Sequence, residues 1–155
     1  MINHQLDLIT GDAVVIDIEN QTYEFRSETL LYFSSVIAPF GIQYEYVTEA
    51  NSPFCAIPRL RHVADPNRLH PARIILPPDN VLRKIEIWGE HVADPRPQIN
   101  KEVVCENTLL MATTSGRHMM LYHQAPGTDL LFTMNEERIA QVLDSGRHYL
   151  RHILD

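Results

Sequence analysis

Proline distribution constrains this chain more than any other feature. Eight of its ten prolines lie between Pro53 and Pro97. Each removes a backbone donor and biases the residue before it towards extended conformation, so a long helix has no place in that stretch. The segment 53–97 therefore reads as a β and loop region of short edge strands and long excursions, inside a single domain spanning 1–155. The 45% apolar and 21% charged content is that of a globular protein, and 155 residues suffice to bury a sizeable core.

Period-two patterns flank the proline region. Ala13 to Ile18 is rich in β-branched residues, and Thr22 to Arg26 alternates, with Tyr23 and Phe25 on one side. Glu19-Asn20-Gln21 between them predicts a hairpin. Ser27 is placed to cap a short helix near 28–38, where Leu30, Phe33, Val36 and Ile37 recur at helical spacing until Pro39 and Gly41. From Ile42 to Glu49 the chain alternates again, with Tyr44 and Tyr46 on an aromatic face. Strands are predicted at Arg73 to Leu76 and Arg83 to Val92. A hairpin is predicted from Asn107–Thr113 to Arg117–Gln124, around Thr114-Ser115-Gly116.

At the C-terminus, Thr133 with Glu136 reads as a capping box. Ile139, Val142, Leu143, Gly146, Tyr149, Leu150 and Ile153 then make one apolar stripe. That predicts a long helix over about 134–154, with Gly146 allowing close approach to a neighbouring backbone. The fold class expected is α+β: a curved antiparallel sheet, the short helix near 28–38, and the long C-terminal helix packed on one face. Such a sheet resembles, at the level of fold, the helix-grip ligand-binding proteins.

Charge excludes some functions. Residues 1–58 hold eight acids against Arg26 alone, within a chain of net charge −7. An acidic surface is a poor binder of nucleic acid. No apolar run approaches the roughly 20 residues that span a bilayer. Met1 to Thr10 has neither Lys nor Arg, so it does not read as a secretory signal. Cys55 and Cys105 cannot make a disulfide scaffold and read as buried thiols. These features predict a soluble, cytoplasmic protein with no cofactor.

Two echoes stand out. His62-Val63-Ala64-Asp65-Pro66 returns as His91-Val92-Ala93-Asp94-Pro95, 29 positions later. His62, Asp65, His91 and Asp94 are candidate ligands for zinc, iron or manganese. Along a strand, however, residues three apart face opposite ways, and Asp-Pro is a common turn start. The word therefore reads mainly as two similar strand exits. The second echo, Ser115-Gly116-Arg117-His118 and Ser145-Gly146-Arg147-His148, puts one copy in a hairpin turn and the other inside the predicted helix, so it reads as coincidence. His148 and His152, four apart, then fall on the solvated side of that helix.

His118 is the best candidate for a general base, should it line a cavity between sheet and helix with Tyr122 and His91. Arg59, Arg61, Arg68 and Arg73 form a basic island that could clamp a small anionic ligand or dock on the acidic N-terminal third. Phosphate loops, GxSxG, HExxH and paired CxxC are absent from the sequence. The leading expectation is a non-catalytic module that binds another protein or self-associates as a homodimer, with Tyr44 and Tyr46 on its binding face. The alternative is a ligand-binding protein or enzyme built around His118 and Tyr122.

Overall fold

The computed structural model describes residues 1–34, 36, 38–47, 55–63, 72–93, 102–123 and 129–155. Its elements in chain order are β1 (Leu6–Asp17), β2 (Thr22–Phe33), β3 (Phe40–Val47), β4 (Cys55–His62), β5 (Ala72–Ile75), β6 (Leu82–Ala93), β7 (Glu102–Thr113), β8 (His118–His123), β9 (Asp129–Thr133), α1 (Glu136–Leu143) and β10 (His148–Leu154). All ten strands belong to one sheet, ordered β10-β6-β7-β8-β9-β2-β1-β5, with the β3–β4 hairpin attached to β2. Every pairing is antiparallel.

The sheet curls into a half-barrel. Register shifts along β1–β2 and β6–β7 mark bulges, which increase local twist and bend the strands. The curl brings the start of β1 against the start of β6, each the second strand from an end of the sheet. The Asn3 amide donates to the Leu82 carbonyl at 2.7 Å and the Leu6 amide to that of Asn80 at 3.0 Å. The concave side is filled by side chains, among them Leu6, Ile9, Phe25, Leu31, Leu109, Met111, Met119, Leu121 and Phe132. Each such burial stabilises the fold by about 1.5–3 kcal/mol relative to exposure.

The hairpins predicted from the turns at 19–21 and 114–116 both form, and both strands of the first are longer than predicted. The short helix near 28–38 does not form. Residues 29–31 continue β2 and pair with both β1 and β3. Thr29, Leu30 and Leu31 are all at most 1% exposed. A strand covered on both faces loses its alternation, and its apolar run then imitates helical spacing.

The long C-terminal helix is also absent, and with it the likeness to helix-grip proteins. α1 is eight residues long. It is capped by Asn135, whose side chain accepts from the Arg138 amide at 3.0 Å, two residues later than the predicted cap. Thr133 instead ends β9, its hydroxyl 3.0 Å from that of Thr22. α1 lays Ile139 and Val142 on the convex face over Leu110, Met120 and Leu131, with Trp88 and Tyr122 beside them. The helix ends at Leu143 with Asp144 as its cap, and Gly146 turns the chain beyond it. Its φ of +74° lies in the left-handed region, and a Cβ there would meet nothing within 4 Å, so it serves a turn and not a close contact. No helix among the described residues is long and apolar enough to cross a membrane.

Candidate functional site

The turn at Gly146 hands the chain to β10, which forms one end of the sheet. β10 pairs with β6, and among the described residues no strand pairs with its other edge. Its register sets Leu150 opposite Trp88, His152 opposite Ile87 and Ile153 opposite Glu86, with a bulge at Arg151. Cross-strand partners share a face. Leu150 and Ile153 therefore lie on the convex side with Trp88 and Glu86. Tyr149 and Leu154 lie on the side of Gly89 and Ile85. Leu150, Ile153 and Leu154 are 41%, 48% and 49% exposed. The edge is thus an unpaired backbone flanked by aliphatic side chains on both faces.

Basic residues accompany it. Arg151 Nε stands 3.5 Å and His152 Nε2 3.3 Å from the same Glu106 carboxylate oxygen. The Arg151 guanidinium also lies 5.7 Å from the centre of the Tyr149 ring, and that ring is 4.9 Å from His91.

The root of β10 holds a buried polar cluster. The His148 side chain is 3% exposed, with Nε2 3.9 Å from Glu90 Oε2. Its Nδ1 lies 3.2 Å from the Ser145 hydroxyl, and Tyr122 meets its ring edge-on at 5.5 Å. Asn107 donates to the same Glu90 oxygen at 2.9 Å. Burial holds His148 below the ordinary imidazole range, against the opposing pull of the Glu90 charge. Burial, then the Glu90 carboxylate, raises the Tyr122 phenol, so Tyr122 stays neutral near pH 7. The cluster fixes where β10 leaves the helix turn and docks on β6.

The residues singled out from sequence disperse. His118 opens β8, where Glu136 of α1 accepts from its amide at 3.2 Å and lies 3.2 Å from its Nδ1. It lines a cleft of about 340 Å³ with Arg83, Lys84, Thr113 and Asp155. Tyr122 is on the same face of β8 but beside His148, and Met120 between them is covered by α1. His91 meets Tyr149 instead. Arg73 is exposed on β5. The backbones of Arg59 and Arg61 pair with Gln43 and Gly41, and those of Tyr44 and Tyr46 with Pro58 and Ala56. The side chains of these four, and Arg68 altogether, lie outside the described residues.

The repeated word straddles a strand end both times: β4 ends at His62 and β6 at Ala93. Asp65 and Asp94 lie outside the described residues, as does the His62 side chain. Among the described residues no three His, Cys, Asp or Glu side chains are grouped to hold a metal ion. The second echo is structural, contrary to the sequence reading. Gly116 and Gly146 both have positive φ, +83° and +74°, and each opens a strand that begins at the His two residues on. His148 and His152 consequently sit on a strand, one buried and the other 57% exposed.

Glu90 and Glu106 carry no sequence signal of their own, and Ser145 and Asn107 stand out only within the echo and the predicted hairpin. The Ser-Gly-Arg-His echo marks the turn that brings them together. Comparison with family models, with curated proteins and with solved structures returned no match.

Proposed function

We propose that this protein is a non-catalytic interaction module that takes up an extended polypeptide strand along β10. One observation carries the reading: a seven-residue edge strand with one side unpaired among the described residues and three aliphatic residues about half exposed. Long apolar edges invite strand addition, and proteins that do not use them cover, shorten or charge them. A strand laid along β10 satisfies its outward amides and carbonyls and covers Leu150, Ile153 and Leu154. Covering the remaining exposed part of each contributes on the order of 1 kcal/mol.

The acidic composition supports a protein partner over nucleic acid. A chain with two cysteines and no disulfide framework fits the cytoplasm.

A library of extended peptides, selected on the intact protein and counter-selected on a variant with Leu150→Lys and Ile153→Lys, tests the proposal. Both side chains are exposed, so the variant is expected to fold, as circular dichroism will check. The proposal expects binders with alternating apolar residues that lose at least tenfold in affinity on the variant, about 1.4 kcal/mol. Binders that ignore the double substitution, or no binders at all, would overturn it.

A further inference from the structure

We infer that the strand taken up along β10 is β10 of a second copy of this chain, paired antiparallel about a two-fold axis through the facing pair of His152 residues. The inference rests on the strand-addition reading and names its partner.

Symmetry restricts the register. In a two-fold antiparallel pair, facing residues must both turn their backbone groups into the seam or both turn them away. In an unbroken strand Leu150 and Ile153 are three positions apart and cannot face each other in this way. The bulge at Arg151 removes one ladder position. With Leu150 opposite Trp88 and Ile153 opposite Glu86 on β6, the two residues share a face and a backbone orientation. Leu150 of one copy then meets Ile153 of the other, and Tyr149 meets Leu154 on the opposite face. Each exposed aliphatic residue of the edge acquires an apolar partner, with no change in the fold of either chain.

Charge agrees with the same register. Residues 147–154 contain Arg147, His148, Arg151 and His152 and no acid, so two such strands would repel if nothing compensated them. Glu106, at 3.5 and 3.3 Å, already answers Arg151 and His152 within each copy. The His148 side chain, 3% exposed beside Glu90 of its own copy, stays out of the seam. Near the axis the two His152 residues face each other directly. Because His152 is 57% exposed, it can be replaced without disturbing the core.

Sedimentation equilibrium of the full chain and a site-specific crosslink test the inference. A doubled mass below about 100 µM is expected, with the monomer restored by Leu150→Lys plus Ile153→Lys. Under mild oxidation His152→Cys should crosslink to itself, while Leu150→Cys and Ile153→Cys, each facing a non-cysteine, should give only the level of the unsubstituted protein with its own Cys55 and Cys105. A chain that stays monomeric up to about 1 mM would overturn the inference, as would a dimer that survives the double lysine substitution or crosslinks equally at 150, 152 and 153. A monomer that still selects edge-dependent peptides would sink self-pairing alone. A monomer that selects none would sink both readings.

Discussion

Gly11 shows how tightly single residues are held. A Cβ at this position would stand 2.6 Å from the Phe25 ring, and Phe25 is fully buried. Gly11→Ala must push the ring or the strand aside, and is expected to destabilise the protein by about 1–3 kcal/mol in urea unfolding. His148 gives a prediction with a sign. Its pKa is lowered in the folded state by burial. The stability it protects is therefore fully present above the unfolded imidazole value of about 6.5, and is lost as pH falls through that value towards the folded one. Urea midpoints measured from pH 7.5 to 5.5 should fall, and His148→Gln should flatten that part of the profile. The buried imidazole was not visible in the sequence, because its assignment to a helix face put it in solvent. Burial follows from the element, and His148 sits on a strand, not a helix.

At the scale of elements, the sequence reveals strands that alternate or that flank a glycine turn. Thr22–Arg26 alternates, and the hairpin of β7 and β8, buried on both faces at Leu109, Leu110, Met120 and Leu121, is marked by Gly116. Residues 29–31 are covered on both faces and mimic a helix. The C-terminal error has a different cause. Ile139 and Val142 do lie on a helical stripe, but Tyr149, Leu150 and Ile153 extend it only by coincidence of spacing, across a glycine turn beyond the helix. Read as a C-terminal stop, Gly146 would have separated α1 from β10. The turn should therefore respond to side-chain chemistry. Gly146→Ala, forced into left-handed φ, is expected to cost about 1 kcal/mol, and Gly146→Asn less, since Asn visits that region more readily. Thermal unfolding of the two variants checks the order. The matching φ at Gly116 accounts for the glycine shared by the two copies: each is a left-handed turn that precedes a strand.

For the molecule as a whole, the antiparallel curved sheet was legible and its completion was not. The apolar content fixed the need for a core, but only strand pairing decides that the chain closes at Gln5–Val81 and, among the described residues, leaves β10 at an end of the sheet. Long-range pairing of this kind leaves no local trace in sequence. The candidate site was less legible still. His118 and Tyr122 were found on the right strand but serve different neighbourhoods, while the open edge was concealed inside an expected helix. The central claim is that residues 148–154 form a strand whose outer edge is filled by another strand. Residue-resolved amide exchange, followed by nuclear magnetic resonance over a dilution series, tests it most directly. Alternate amides of β10 should be protected at every concentration through β6, and the remaining ones should gain protection as concentration rises. Helical shifts across 148–154, or outer-edge amides that exchange equally fast at every concentration, would contradict it.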